Sequence, residues 1–461
     1  MVGNVETPLA VRRSRSASPL RVAGRALRGH GVRGVAALAS LAVLAGCGST
    51  LDAAPAANVS AADPPSPSVP AACTKAVLGT LTTVLERVYR EGVASERTAS
   101  AEYLIANSGA LRTAVERGER GAARAAARAL LATGHMTNVT VMRGSQTFVE
   151  VGGPALAPLH GTLTGANGAP IASYVASVWA DNGFLTEAGG ITQGLVALRE
   201  NARGVGGSPA LPAHALPDAG ELTRGGVPYR FTSFPVAAFP AGSLRAYLLM
   251  PTRTVASLCG STTQDTTVNT LRRVAELIYS AEIGRSAQIQ VRRVQRNKAL
   301  LEAVAHREPE AARLAIDALL NEHIVRLRVT TDGKLLSDVG GPYVLAPVSA
   351  PLRLGGHTIG TLTLSIQDDE GYLRLARRLA GLAVLMYMDP SHPQLVKDSL
   401  GPAPGPALAD VPASGAYRYE GRSFRVFTLT PEAFPSGPLA IRVLVPLPYP
   451  PSGASAAARR R

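Results

Sequence analysis

The sequence predicts an α+β protein made of two tandem repeats, each a long N-terminal helix followed by an antiparallel sheet. Three observations carry that prediction. The first is internal repetition. Val151-Gly152-Gly153-Pro154 recurs as Val339-Gly340-Gly341-Pro342, and Asp181-Asn-Gly183-Phe184-Leu185 as Asp369-Glu-Gly371-Tyr372-Leu373, both at an offset of 188. Ala129-Leu130-Leu131 returns as Ala318-Leu319-Leu320 at 189, and Phe239-Pro240-Ala241-Gly242 as Phe434-Pro435-Ser436-Gly437 at 195. Four anchors in one order at a nearly constant offset mean duplication. The drift of seven residues falls where the second copy carries the proline-rich stretch Gly401 to Pro412. The second observation is a proline-free stretch rich in Ala, Leu, Arg and Glu at the head of each copy. The third is a period of two in the residues that follow.

In each copy the elements read in the same order. Helix is expected over 75–115 and again over 268–305, from composition and the absence of proline. A short helix follows at 121–132 and at 309–321, the second with Pro309 suited to a first turn. Val325, Leu327 and Val329 then alternate with Arg326, Arg328 and Thr330, as in a half-buried strand; Val139 and Val141 against Asn138 and Thr140 repeat the pattern. Thr331-Asp332-Gly333-Lys334 makes a hairpin turn. A second alternating strand spans 358–367, a helix opens at Asp368-Asp369-Glu370 and runs to Ala380, and strands at 417–420, 424–429 and 439–446 close the unit.

The ends of the chain read differently. The net charge of +14 divides into +6 over residues 1–46, +3 from Arg459, Arg460 and Arg461, and +5 over everything between. No basic run with interleaved aromatics stands in the body, which removes the support for nucleic-acid binding. Arg12, Arg13, Arg15, Arg21, Arg25, Arg28 and Arg33 precede the apolar run Val35 to Gly46, which at 12 residues falls short of the ~20 that span a bilayer. A basic region, a short apolar region and small residues at the cut form a secretory signal. Translation starting further in, or twin-arginine export at Arg12-Arg13 without the rest of that motif, are the alternatives to this long basic region. Leu44-Ala45-Gly46-Cys47 resembles the bacterial lipobox, and that resemblance implies cleavage before Cys47 and a diacylglyceryl anchor on its thiol. The organisation is then a signal peptide over 1–46, a disordered tether over 47–72, two domains over 73–260 and 261–448, and a disordered basic tail over 449–461. The tether is Ala, Pro, Ser and Asp, with too little apolar surface to offset ordering entropy.

Long helix, short helix, strands, helix and closing strands resemble the extracytoplasmic Cache sensor fold, a PAS-like module of bacterial receptors. The segment Thr331 to Tyr372, with "TDGKLLSDVGG" and "GGHTIGTLTLSIQDDEGYL", is most similar to it. The resemblance implies a ligand pocket between the sheet and the loops and helix over it, with signalling to a membrane partner and pairing of two copies through the long helices. The Arg-Trp-Tyr cluster of the amino-acid-binding subgroup is absent, and the one tryptophan is Trp179.

Once Cys47 is set aside, Cys73 and Cys259 bracket the first copy and have no counterparts in the second. In an oxidising compartment a disulfide between them is favoured over two free thiols. Asp368, Asp369 and Glu370 could ligate a cation or amine, but capping and dipole neutralisation at a helix start are favoured, since copy 1 keeps only Asp181 there. Arg326 and Arg328 share a strand face, either solvated or lining a pocket for an anion. By the fold resemblance, Tyr343, His357, Ser365, Gln367, Asp369 and Tyr372 join them as ligand-binding candidates, all in the second copy. No HExxH pair, Gly-x-Ser-x-Gly elbow or phosphate loop is present, so neither an enzyme, a metal nor a cofactor is expected. The reading is a lipid-anchored protein at the extracytoplasmic face of the cell membrane, binding a small ligand and signalling through a partner. Its rival is a structural or interaction lipoprotein without a ligand.

Overall fold

In the computed structural model the repeat is plain, and each copy holds two large sheets where the sequence pattern suggests one. The structure describes residues 69–281, 284–320, 324–341, 344–388, 394–401, 405–434 and 437–450. All belong to one unit, Pro64–Arg461; the other unit, Met1–Asp63, lies outside the described residues, and with it Cys47 and most of the expected tether.

The first copy begins with α1 (Ala71–Arg90), α2 (Glu96–Ala106), α3 (Gly109–Arg117) and α4 (Arg120–Ala132). Strands β1 (Asn138–Arg143), β2 (Gln146–Gly152), β3 (Ala155–Leu156), β4 (Leu159–Thr164) and β5 (Pro170–Ser177) lead to α5 (Asp181–Thr192). Then come β6 (Leu195–Glu200), β7 (Arg203–Val205), β8 (Ala219–Arg224), β9 (Val227–Phe239), β10 (Gly242–Pro251) and α6 (Thr252–Leu258). The second copy repeats this with α7 (Thr263–Ala281), α8 (Arg285–Gln295), α9 (Lys298–His306), α10 (Pro309–Leu319), β11 (Arg326–Thr331), β12 (Lys334–Gly340), β13 (Val344–Leu345), β14 (Val348–Leu354), β15 (His357–Ser365) and β16 (Gln367–Asp368). It ends with α11 (Asp369–Ala380), β17 (Ala383–Met388), β18 (Gln394–Asp398), β19 (Gly415–Tyr419), β20 (Arg422–Leu429), β21 (Glu432–Ala433) and β22 (Gly437–Leu447).

The helix expected over 75–115 is three helices. Ser95 starts α2 with a capping box, its hydroxyl accepting from Thr98 N, and Ser108 starts α3 by accepting from Leu111 N. These hydroxyls satisfy amides at a new helix start, which an uninterrupted helix would not leave free. In the second copy Asn297 plays the part of Ser108, accepting from Leu300 N.

A four-stranded antiparallel sheet, order β2-β1-β5-β4, is matched by β12-β11-β15-β14. Even the irregularity is duplicated: the register of β1 on β2 slips between Val141 and Met142, and that of β11 on β12 between Val329 and Thr330, 188 residues on. The second sheet runs β3-β9-β10-β6-β7 with β8 on β9; in copy 2 the order β18-β17-β22-β20-β19 matches β7-β6-β10-β9-β8, while β13, the counterpart of β3, pairs with β16 instead.

Five clusters fill the unit. The largest is shared by both copies. Val77, Leu81, Leu85 and Val88 of α1 form a stripe at helical spacing that packs with Leu271, Val274 and Ile278 of α7, Phe184 of α5 and Tyr372 of α11. The inner faces of both second sheets close on this helical layer. Separate clusters lie under α2–α4 on the first sheet of copy 1 and under α8–α10 on that of copy 2. The last two occupy the outer faces of the second sheets, beneath loops. A disulfide joins Cys73 to Cys259 and ties the start of α1 to the end of α6. Tyr449, placed by the sequence reading in the tail, is packed: its hydroxyl donates to Ala380 O at 2.8 Å and Arg87 lies over its ring.

Candidate functional site

The candidates named from sequence do not converge on one pocket. Arg326 and Arg328 lie on β11, where Arg328 stands opposite Asp338 of β12 and Arg326 opposite Gly340. Arg326 donates Nε and Nη2 to the two carboxylate oxygens at 2.8 and 2.9 Å, and Arg328 donates Nε and Nη2 to Oδ2 at 2.9 and 2.7 Å. Burial works against the Asp338 charge, yet the two guanidinium groups hold its carboxyl below the usual range. Both arginines stack on Phe434, and Arg326 Nη1 donates to Gly341 O. In copy 1 the same place holds Asn138, whose amide donates to Gly153 O at 2.6 Å, the carbonyl equivalent to Gly341.

Ser365 acts on the backbone, whereas the Gln367 side chain is buried with its Oε1 unpartnered. The Ser365 hydroxyl bonds Leu345 O and accepts from Gln367 N, and in copy 1 Ser177 does the same with Leu156 O and Trp179 N. Each serine therefore fastens the short strand β3 or β13 to the exit of the first sheet. Tyr372 is fully buried, edge-on to Tyr279, and donates to Ala275 O at 3.2 Å. His357 is exposed at the start of β15, just after the Gly355-Gly356 turn that follows β14. Tyr343 lies outside the described residues. Asp369 is buried at the first turn of α11, with Oδ2 unpartnered and burial raising its pKa; Asp368 is the cap, accepting from Gly371 N at 2.6 Å. Among the described residues no group of three or more His, Cys, Asp or Glu is placed to hold a metal, and no helix is long and apolar enough to cross a membrane.

A cavity of about 290 Å³ lies instead in copy 1, lined by the loop after β7 and by one charged side chain, Arg199. Along β6 the residues alternate: Val196 and Leu198 join the shared core, while Leu195, Ala197 and Arg199 point to the outer face. There Ala197, Phe231, Tyr247 and Leu249 make an apolar floor and Leu211 and Leu216 cover it. Arg199 is only 2% exposed. Its Nη2 donates to Ala202 O at 2.5 Å, Pro212 O at 2.9 Å and His214 O at 3.0 Å, and its guanidinium lies 5.9 Å from the Tyr247 ring centre. The Tyr247 hydroxyl holds the same loop by donating to Leu216 O at 3.0 Å. Nη1 is buried and has no partner, and Arg199 forms no ion pair among the described residues.

The loop is built to make this close turn. Gly206 and Gly207 both have positive φ, 65° and 73°, which glycine adopts without steric cost. A Cβ on Gly206 would collide with Asp181 at the head of α5, a buried carboxyl whose pKa burial raises. Ser208 then accepts from Leu198 N at 2.8 Å, completing the edge of β6. Copy 2 carries Tyr387 at the position of Arg199, and Arg442 at that of Tyr247. Tyr387 donates to Pro406 O at 2.8 Å, and Arg442 Nη1 donates to Thr428 Oγ1 at 2.6 Å. The aromatic and the cation have changed places. Sequence reasoning missed Arg199; its one signal was an arginine that follows the apolar run Leu195–Leu198 and faces a tyrosine in the repeat alignment.

No known family pattern and no curated protein matches the chain. Among solved structures it is similar to the periplasmic domain of LuxQ from Vibrio cholerae, with 16% sequence identity and a TM-score of 0.26, over 37% of this chain and 96% of that one.

Proposed function

We propose that this protein is a lipid-anchored extracytoplasmic binding component, in which the first repeat captures a small ligand and the shared helical layer relays the event to a membrane partner. The observation that carries this reading is the cavity at Arg199, a concave site in which the loop over 202–211 closes around one buried guanidinium, with Val205, Pro209 and Leu211 as its apolar wall. The Cys73–Cys259 disulfide fits an oxidising compartment. The relay is supported by α1 and α5 of copy 1 sharing one core with α7 and α11 of copy 2. The test is thermal unfolding of the intact chain against a library of small metabolites. A ligand at 100 times its dissociation constant stabilises by ~2.7 kcal/mol, which shifts the midpoint by several degrees. A flat response across the library would overturn the reading.

A second reading, protein interaction, is favoured by one feature of copy 2. Ile289, Leu314, Leu335 and Leu354 are all exposed large apolar residues within the α8–β14 region. Replacing Leu314 and Leu335 with Ser should abolish capture of an envelope partner by the intact chain without changing its unfolding midpoint.

A further inference from the structure

We infer that the Arg199 cavity is an anion site, and that its ligand is a small monoanion with at most a short apolar body. This rests on the binding reading above and names the chemistry of that same site. A guanidinium removed from water without a counter-charge is costly, and carbonyl dipoles offset only part of that cost. Arg199 is in that condition. Its Nη2 is saturated by three loop carbonyls, its Nη1 is unused, and no acidic side chain lines the cavity. An anion on Nη1 would form a charge-assisted hydrogen bond in a low-dielectric setting, where such bonds are strongest.

The carbonyl clamp also says why the arginine is available. With Nη2 held to Ala202, Pro212 and His214, and the ring of Tyr247 alongside, the guanidinium is fixed in place before a ligand arrives, so little ordering entropy remains to be lost on binding. A residue needed only to staple the loop could be neutral: in copy 2 the phenol of Tyr387 secures its loop through Pro406 with no charge at all. The size follows from the cavity, which at about 290 Å³ stands at the small end of ligand sites. Val205, Pro209 and Leu211 offer apolar contact to a short body. Because Nη1 is sealed, entry requires the turn at Gly206 and Gly207 to move, a turn that carries none of the three carbonyls clamping Nη2.

The experiment compares the thermal midpoint of the intact chain in sodium propionate, acetate, phosphate and chloride at equal ionic strength, with propionamide as the neutral isostere of propionate. At least one anion should raise the midpoint by several degrees while propionamide leaves it unchanged. Carboxylate and inorganic anions are separated by which salt acts. Arg199→Lys should weaken the apparent affinity at least tenfold, since a point charge replaces the fixed fork. Ala210→Trp, which sets a large ring at the exposed rim of the cavity, should abolish the shift in a fully folded protein. An anion effect that survives Ala210→Trp places the anion elsewhere and overturns the proposal. A shift by propionamide equal to that by propionate overturns it too, while leaving a ligand site in the first repeat. No shift with these salts, but one with a neutral compound of the library, again removes the anion and keeps the binding reading; no shift with any compound removes both.

Discussion

The two repeats share a frame down to a duplicated strand irregularity, yet they distribute their charge in opposite ways. Copy 2 puts two arginines, Arg326 and Arg328, side by side on its first sheet and closes both on one carboxylate, Asp338. Copy 1 has Asn138, Thr140 and an exposed Glu150 at those three places, and puts a buried arginine on the outer face of its second sheet with no acid beside it. A duplicated fold lets position-by-position comparison separate the residues that hold the frame from those that vary on it. Ser177 and Ser365 make the same bonds in both copies and belong to the frame. Arg199 and Tyr387 are equivalent in place and opposite in chemistry, so function is to be sought where they stand.

The largest expected effect concerns the one covalent difference. Only copy 1 is closed by a disulfide, across a sequence separation of 186. The chain-entropy relation gives up to about 5 kcal/mol for such a loop. Replacing both Cys73 and Cys259 with Ser should lower the denaturant midpoint accordingly, and a loss under about 1 kcal/mol would mean that packing of α1 against α7 already fixes the ends of copy 1. Next comes the ion-pair cluster. Asp338→Ala strands two largely buried guanidinium groups and should cost about 2–4 kcal/mol, whereas Glu150→Ala in copy 1 should stay within about 0.5 kcal/mol. Because the Asp338 pKa is depressed in the folded state, its contribution is present above the unfolded value near ~3.9 and is lost as pH falls through the folded value. The gap between the two variants should therefore close in acid; a gap unchanged down to pH 2 would show that the charge is not what matters.

A smaller effect tests whether the exchanged pair is one unit. Arg199→Tyr alone leaves three carbonyls without their donor, and Tyr247→Arg alone sets a second cation beside the first. Made together they reproduce the arrangement of Tyr387 and Arg442. The double variant should be more stable than the sum of the singles by about 1–2 kcal/mol in a double-mutant cycle. Additivity to within about 0.3 kcal/mol would mean that each loop answers to its own residue and that the exchange is incidental.

What could be read from the sequence follows what each strand shows to solvent. Strand β11 alternates because only one of its faces meets a core, and Leu327 and Val329 are legible at once. Strands β6 and β17 escaped because both of their faces are covered: Leu195–Ala197 and Ala383–Met388 are nearly continuous apolar runs with no period to detect. Missing them merged two sheets into one. The site was harder still. Tyr372 and Gln367 look like pocket residues in a list of polar candidates and are core residues in space. The pairing of Arg326 and Arg328 with Asp338 depends on register across a hairpin, and alternation alone does not give register. Arg199 could be found only by laying one copy over the other and asking why a charge stands where its counterpart has a phenol.

That same comparison sets the smallest prediction, at the first turns of α5 and α11. Asp181 and Asp369 are equivalent, both are buried, and burial raises both pKa values. A carboxyl whose folded pKa lies above its unfolded one costs stability when charged; the cost is absent below the unfolded value and grows as pH rises towards the folded one. Replacing either with Asn should therefore stabilise the protein at neutral pH, by less than about 1 kcal/mol, and do nothing near pH 3. The two need not be equal. For Asp369, backbone hydrogen bonds and the charge of Lys397 oppose the shift, whereas Asp181 has Gly206 pressed against it and no such relief. Asp181→Asn should give the larger gain. If Asp369→Asn gives more, the loop carrying Gly206 does not confine Asp181 as closely as its geometry implies, and the turn at Gly206 and Gly207 would then be looser than the one argued for above.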